Sequence, residues 1–569
     1  MDTDAEAERE EQPPGLSNAE IADRLASLAQ LLSTEQENLY KVKAYRRAAA
    51  RIRTLAESLD EMVRAGADLT RVPGVGEGIA AAIREIVLTG TLGKLDKLRG
   101  QAPPALADLS AYPRLDPTRV LRVYKKLGIT SVEELKARLE NGAIAKAFGP
   151  RLAQHVRQGL TEPHSMLLYH ADDLRHAIEA FLVGSCGAKR AEAVGDYRRR
   201  VEVIEELGFI VESQDFMGVI ARMQRYGGRL PLLSADADSA VFALSSGVRL
   251  RLQHAKKDDW GFHMIACTGS KMHLRKLTKL TGSLRHLKSQ SLPTETVFYS
   301  RFGLAYIPPE LREGRDEVRQ AQDGRLPDLV GHEDIRGDLH AHTTASDGGD
   351  SMEAMAAAAR KLGYEYLGIS DHSQSLKIAR GLSVADLQAQ IRLIDRLNGR
   401  LRSFRVLKSS EVDILADGTL DYPDDILKEL DYTVCSIHSR FGLGREAQTE
   451  RILRAMDSRY FNILGHATGR LLLKRPGYDI DIERIIEHAR QSGCFFEINS
   501  SPDRLDLSAE QTRRAAAAGV MIAVSTDSHS TREFDLIRCG LDQARRAGLE
   551  RRSVLNCQSW ETLARLFRR

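Results

Sequence analysis

The 569-residue sequence predicts a multidomain chain: α-helical at its N-terminus, α+β in the middle, and a distorted parallel α/β barrel at its C-terminus. Three observations predict this. From Asn18 to about Leu98, apolar residues recur at three- and four-residue spacing, as in Ile21, Leu25, Leu28, Leu31 and Leu32. Between His164 and Pro308, strand-like runs mix with helical ones. Beyond Asp334, apolar strand-sized runs alternate with helical patterns of roughly ten to twenty residues, the signature of parallel strands with helical crossovers.

Composition narrows the class. Hydrophobic residues are 42% and charged residues 28%, which excludes a largely disordered or fibrous chain. No apolar run approaches the ~18 residues of a membrane span, so no membrane association is expected. The opening MDTDAEAEREEQPPG is acidic, has no apolar core and is not expected to be a secretory signal; residues 1–15 are expected to be a disordered tail. Cys186, Cys267, Cys435, Cys494, Cys539 and Cys557 form no CxxC pair, which argues against a disulfide framework or thiolate zinc site and for a reducing cytoplasm. A net charge of only +3 means that nucleic-acid binding must come from local patches.

Such patches exist in the N-terminal half. Lys41–Arg53 holds six basic residues and no acid, with Lys41, Lys43, Arg46 and Arg47 as candidate DNA contacts. After it comes Val72-Pro-Gly-Val-Gly-Glu-Gly-Ile-Ala80 between two helical patterns. Gly74, Gly76 and Gly78 let backbone N–H groups approach an anion closely, and the following helix dipole suits a phosphate. The segment resembles a helix-hairpin-helix, a sequence-independent clamp on the DNA backbone. Leu115–Val120 and Ala147–Leu152 resemble weaker hairpins, the first carrying Arg114 and Asp116 where glycines are expected. Further on, Phe181–Gly184 and Gly247–Leu252 read as strands, and Lys271–Lys288 as a basic helix. Ser234–Ser239 reads as a solvated loop, and Arg312–Asp328 as charged and helix-like before a linker.

The most specific signal lies beyond Ile335. His340 and His342 fall two apart on an extended segment and so share a side. Asp347 follows, and later apolar runs end in His372, Glu411, His438, His466, Asp527 and His529. In a (β/α) barrel the C-terminal strand ends converge on one face. Nine acids and imidazoles packed there without cations would repel or stay unsatisfied. Histidine plus carboxylate without thiolate suits Mn²⁺, Zn²⁺ or Fe²⁺, and nine groups suit two or three divalent ions. Arg470 and Arg504 sit on strand-following loops as candidate bidentate phosphate donors.

These segments resemble the PHP (polymerase and histidinol phosphatase) domain over residues 336–569. That resemblance implies a trinuclear site in a seven-stranded distorted barrel, with the nine residues named above as ligands and metal-assisted phosphoester hydrolysis as the chemistry.

Residues up to about 320 resemble family X DNA polymerases, in the bacterial arrangement with a C-terminal PHP domain (PolX). The resemblance rests on the hairpin, on Gly195-Asp-Tyr-Arg-Arg199, on Cys267-Thr-Gly-Ser-Lys271 and on Gly303–Arg312. It implies a helix-hairpin-helix domain at 16–100, a fingers-like domain at 101–163, a palm-like domain at 164–245, a thumb-like domain at 246–320, a linker at 321–335 and the PHP domain at 336–569. The departures matter more. Where the family carries three metal-binding aspartates, this sequence has Glu206, Gly208 and Arg251, and Asp196 replaces a serine that contacts the triphosphate. Ala82 stands where the lyase lysine of some relatives would be.

The expected function is therefore a metal-dependent DNA phosphodiesterase in DNA repair. It would be a 3′→5′ exonuclease or 3′-end trimmer, with cleavage at abasic sites by resemblance, acting on gapped, nicked or 3′-ended DNA. The polymerase-like half would bind DNA without extending it. Two alternatives stand beside this: an active repair polymerase with a proofreading PHP domain, and a PHP phosphatase of small phosphate esters.

Overall fold

The computed structural model describes residues 16, 18–34, 39–52, 55, 57–101, 117–129, 131–149, 152, 153, 156, 165–226, 230–244, 248–283, 287 and 290–568. The N-terminal tail, residues 115–116 and 150–151 of the two weaker hairpins, Gly247, and Arg53, Arg285, His286 and Lys288 of the basic stretches lie outside the described residues. Two compact units form: one holds residues up to Arg198 with Val203–Thr268 and Leu284–Phe298, the other Arg199–Glu202, Gly269–Ser283 and Tyr299 onward. Residues 269–283 and 299–320, expected within a thumb-like domain, thus belong to the unit of the barrel. No disulfide joins any of the six cysteines, and no helix among the described residues is long and apolar enough to cross a membrane.

In the first unit, helices Asn18–Thr34, Leu39–Ile52, Leu59–Arg64, Glu77–Thr89 and Gly93–Gln101 surround one core. Ile21, Leu25, Leu28 and Leu32 line the inner face of the first helix, each burial contributing roughly 1.5–3 kcal/mol. Asn18 ties its start to a distant loop: its carboxamide accepts from the Leu59 N–H (2.8 Å) and donates to the Glu57 carbonyl (2.8 Å). On Leu39–Ile52, Val42, Tyr45, Ala48, Ala49 and Ile52 are buried while Lys41, Arg46 and Arg47 are exposed. The basic face therefore looks outward.

Helices Pro117–Leu127, Val132–Glu140 and Ala143–Phe148 form a small core of their own around Val123, Leu135 and Ile144. Pro117–Val120, expected in a weak hairpin, opens the first of these helices, as Glu77–Ala80 opens the helix after the Gly-rich turn, and proline is tolerated at the first position.

A five-stranded sheet follows. Its strands β2 (Arg190–Val194), β4 (Glu206–Glu212), β5 (Leu232–Ala235), β6 (Ser239–Ala243) and β7 (Arg249–His254) lie in the order β2-β4-β7-β6-β5. A short antiparallel pair, β1 (Met166–Leu167) and β3 (Val203–Ile204), completes the mixed region. The β4–β7 pair is parallel and the other pairs are antiparallel. Phe181–Gly184 is not a strand. It closes helix Leu168–Gly184, whose Leu174, Ile178 and Leu182 bury at helical spacing; a short apolar run alone cannot distinguish the two periods. Asp236 and Asp238 sit in the exposed β5–β6 turn, where the Asp236 carboxylate accepts from the Asp238 and Ser239 N–H groups.

In the second unit, the basic helix expected over Lys271–Lys288 begins at Lys271, capped by Ser270, and ends at Thr281, where Gly282 follows at positive φ. The helix expected over Arg312–Asp328 shrinks to Glu317–Gln322, because Gly314 and Gly324 at positive φ bracket it. The barrel strands are β8 (Gly337–Ala341), β9 (Tyr366–Ile369), β10 (Arg405–Lys408), β11 (Glu411–Asp413), β12 (Val434–Ser436), β13 (Ile463–Leu464), β14 (Phe495–Asn499) and β15 (Ile522–Ser525). All pair in parallel, in sheets β10-β9-β8 and β11-β12-β13-β14-β15. Single bridges Ala341–Ser528 and His372–Glu411 join the two sheets at both edges. Since β10 and β11 are successive parts of one run, this is a distorted barrel of seven strand positions. Helices cover it outside, with Ser351, Ser383, Asp481 and Ser508 capping their N-termini.

Candidate metal centre

The C-terminal ends of the barrel strands bring the nine expected residues together. Glu411, at the start of β11 and 1% exposed, is the hub. Imidazole nitrogens of His372 (2.8 Å), His466 (2.9 Å), His438 (3.3 Å), His340 (3.6 Å) and His342 (3.7 Å) surround its carboxylate. Asp527 lies 2.9 Å from His342 and 3.5 Å from His340. Asp347 lies 3.4 Å from His529, 3.5 Å from His372 and 3.9 Å from His342. Among the described residues, three overlapping sets could each hold an ion: His342, Asp347, His372 and His529; His340, His342 and Asp527; His372, Glu411 and His438. His466 and Asp527 take positive φ without being glycine, and such strain persists where surrounding structure over-determines it.

The electrostatics show a site short of positive charge. Burial disfavours charge on His372 and His438, yet the Glu411 carboxylate outweighs it and brings their pKa values to about 9 and about 10. Burial opposed by Asp347 and Asp527 leaves His529 at about 9. His342 goes the other way, to about 4, through burial and the neighbouring His529 and His372. Glu411 is buried and Asp527 half-buried, yet the surrounding imidazoles hold both well below the usual carboxylate range. His340 Nε2, His342 Nδ1 and His466 Nδ1 are buried with no hydrogen-bond partner. Buried lone pairs beside ionised acids fit divalent cations, and the His/carboxylate donor set is one that Mn²⁺, Zn²⁺ and Fe²⁺ accept.

The corresponding region of the five-stranded sheet is built differently. β4 and β7 run in register with Gly208 opposite Arg251. The Arg251 guanidinium donates to both oxygens of Glu206, at 2.7 and 2.9 Å. Gly208 offers no side chain, and a Cβ there would meet Val194 Cγ2 at 3.3 Å. Asp196 lies on the one-turn helix Gly195–Arg198 that follows β2.

In the hairpin, a 3₁₀ turn Leu69–Arg71 leads through Val72–Gly76 into helix Glu77–Thr89. Gly74 has φ +87°, which the turn demands of it, and Gly76 precedes the helix without a capping side chain. Ala82 points into the core of this unit.

Comparison with known proteins follows these features. The helix-hairpin-helix domain family matches residues 16–92, and the PHP domain family residues 338–501. The DNA polymerase/3′-5′ exonuclease PolX of Bacillus subtilis (strain 168) is 33% identical over 572 residues, covering 97% of this chain and 99% of its own length. The chain belongs to the PolX family. Shorter similarities reach a probable phosphatase of Thermoanaerobacter sp. (strain X514), 29% identical over 38% of this chain and 89% of the relative. A probable phosphatase of Clostridium acetobutylicum is 30% identical over 36% of this chain and 84% of its own.

Behind the nine residues of this PolX-family chain stand others that sequence reasoning left out of the site. The carboxylates of Glu497 and Asp413 accept from Nδ1 of His340 (2.7 Å) and His438 (2.9 Å), which turns the Nε2 lone pairs toward Glu411. Asn499 donates to Asp527 at 3.0 Å. Asp371 binds the loop between His342 and Asp347 by accepting from the Thr343 N–H, the Thr343 hydroxyl and the Ser346 hydroxyl. A signal existed: Glu497 is an acid inside the fully buried strand β14, and Asp413 lies two residues from Glu411 on the same side.

The two arginines separate. Arg470 is already engaged, its guanidinium donating to Glu202 (2.7 Å) and to the carbonyls of Arg504 (3.0 Å) and Leu505. That corrects its expected role as a phosphate donor, since its fork is filled by a carboxylate and two carbonyls. The Arg504 side chain has no hydrogen bond or ion pair among the described residues.

Proposed function

We propose that this chain is a metal-dependent DNA phosphodiesterase that removes nucleotides from 3′ ends in DNA repair, and that its polymerase-like half binds DNA without extending it. One observation carries the reading: the barrel cluster lacks positive charge, whereas Glu206 in the sheet already has its cation. The exonuclease activity in the name of the Bacillus subtilis relative supports DNA as substrate and 3′→5′ as direction. The outward basic face of Leu39–Ile52 and the hairpin turn support contacts to the DNA backbone that do not depend on sequence. Gapped, nicked or 3′-ended DNA is the substrate class, and abasic-site cleavage is a secondary activity of the same centre.

Two or three divalent ions, Mn²⁺ or Zn²⁺ before Fe²⁺, bound by His340, His342, Asp347, His372, Glu411, His438, His466, Asp527 and His529, would acidify a water and neutralise the phosphodiester. The chain's own residues prepare this. Glu497 and Asp413 fix the tautomers of His340 and His438, and Asn499 orients Asp527. Arg504 is the arginine left to steady the substrate phosphate.

Purified protein incubated with 5′-end-labelled gapped duplex and Mn²⁺ tests the reading. A ladder shortened from the 3′ end is expected. Hydrolysis of p-nitrophenyl phosphate with no action on DNA would favour the small-ester phosphatase, and extension with dNTPs the repair polymerase.

A further inference from the structure

We propose that the loop Gln374–Gly381 carries an apolar wedge, Ile378, which unstacks the 3′-terminal base pair of duplex DNA, and that the adjoining groove receives the freed nucleotide. The inference rests on the nuclease reading above and adds the substrate subsite.

Ile378 is 94% exposed, the most exposed large apolar side chain among the described residues; the next, Met217, is 59% exposed. A lone exposed leucine or isoleucine is ordinary on a surface. This one is set apart by its place and its mounting. The loop begins directly after His372, and Leu382 at its far end returns to bond the His372 carbonyl (2.8 Å). Its base is clamped by Asp421, whose carboxylate accepts from the Ser375 N–H (2.6 Å) and whose carbonyl accepts from Gln374 (2.8 Å). Gly381 packs so closely that a Cβ would fall 1.9 Å from the Ser373 carbonyl oxygen. Arg380 is held at φ +57°. A tightly fastened loop thus holds an isoleucine in water, between the exposed cations Lys377 and Arg380.

Beside the loop lies a groove of about 520 Å³, lined by Thr343, Arg380, Leu382, Gln390, Leu393 and Arg396 among others. Thr343 belongs to the segment joining His342 to Asp347, so one stretch of chain links the groove to the metal centre. Asp371 couples the two: it accepts from Thr343 and also from the Gln390 carboxamide (2.5 Å). Leu393 offers apolar surface for a base or sugar, while Arg380 and Arg396, on a lining that also carries Glu353 and Asp386, offer charge for its phosphate. Apolar side chains that enter a base step unstack it and kink the duplex, and extruding a terminal nucleotide costs only the few kcal/mol of one unpaired, unstacked step.

The test uses full-length protein with Mn²⁺ and three 5′-labelled DNAs: a blunt duplex, the same duplex with a mismatched 3′ end, and the single strand. For Ile378→Ala, the ratio of paired-end to single-strand rates should fall about tenfold, with Ile378→Leu restoring it. The mismatched end, already unpaired, should follow the single strand. Independently, a duplex with 2-aminopurine at the 3′ terminus should brighten when bound to His340→Ala protein and not when bound to the His340→Ala/Ile378→Ala double variant. Both changes together support the wedge. If either is missing while the unaltered chain degrades DNA, the wedge is wrong and the nuclease reading stands; an unaltered chain inert on all three DNAs overturns both.

Discussion

Two acidic sites in this chain answer the same electrostatic question in opposite ways. In the barrel, Glu411, Asp527 and Asp347 meet six imidazoles, and buried ring nitrogens of His340, His342 and His466 still lack partners. In the five-stranded sheet, one acid, Glu206, meets one guanidinium in a bidentate pair. The barrel needs cations from outside, whereas the sheet has an internal one that cannot be removed or exchanged. A position that matches a catalytic acid by alignment says little until its charge balance is known. The following experiments press on that difference, from the largest expected effect to the smallest.

His342 belongs to two of the three potential ion sites, so His342→Ala should do the most damage. Hydrolysis should fall by more than the ~10–100-fold typical of losing an outer-sphere partner, and the ions of those two sites should be lost. Activity on labelled DNA together with metal analysis of the native protein checks this. A variant that keeps full metal and full activity would remove the barrel from the mechanism.

Glu497→Gln asks whether the layer behind the ligands matters. The amide is nearly isosteric but loses the charge that fixes His340 with Nδ1–H toward residue 497. A loss of about 10–100-fold in metal affinity or activity is expected. Retained activity at saturating metal, with a raised metal requirement, would place the effect in binding.

How much of this was legible without coordinates follows from which signals are local. The nine cluster residues announce themselves because each ends or follows an apolar run, and a parallel barrel gathers such ends on one face. Glu497 and Asp413 lie in the same runs, but nothing local says that they partner His340 and His438 rather than an ion. Arg470 looked available because its partner Glu202 lies 268 residues away, a distance no spacing argument bridges. Phe181–Gly184 is ambiguous in sequence because three apolar residues and a glycine satisfy strand and helix alike, and only the burial of Leu174 and Ile178 upstream decides. The Glu206–Arg251 pair is diagonal, since Gly208 lies opposite Arg251 and Glu206 opposite Arg249, so it depends on a strand register that no local pattern supplies.

Gly74→Ala probes delivery of DNA. At φ +87° an alanine costs roughly 1–2 kcal/mol, and its Cβ would lie 3.3 Å from the flexible Arg51 side chain. The hairpin should distort, and DNA affinity should fall by roughly fivefold, about 1 kcal/mol. Hydrolysis of a small phosphodiester should stay unchanged, because Gly74 lies outside the barrel. Binding measured across a salt series checks this; equal affinity at every salt concentration would take the hairpin out of DNA binding.

The smallest expected effect is none: this chain should not extend a primer. Nucleotidyl transfer needs divalent ions that bridge the triphosphate and the primer 3′-hydroxyl. At the three positions expected to match the family's aspartates, Glu206 is held by Arg251, Gly208 has no side chain, and Arg251 carries the wrong charge. Asp196, at the position expected for a triphosphate-contacting serine, would add a negative charge there. The half-exposed Glu206–Arg251 pair contributes little stability, on the order of 0–1 kcal/mol, so its removal should leave the sheet folded. That makes the test clean. His340→Ala protein, which suppresses degradation, is incubated with primed template, all four dNTPs and Mg²⁺ or Mn²⁺. No extension is expected, and none from the further Arg251→Ala variant, because one freed glutamate does not make a two-ion site. Restoring acids in Gly208→Asp/Arg251→Asp gives the sheet its best chance, with the 3.3 Å approach to Val194 as the steric cost. Extension appearing only in that variant would locate the loss of synthesis in these two positions. Template-directed extension by the His340→Ala protein that disappears on Glu206→Ala would instead mean that the sheet recruits ions despite its internal cation, and the contrast between the two sites would collapse.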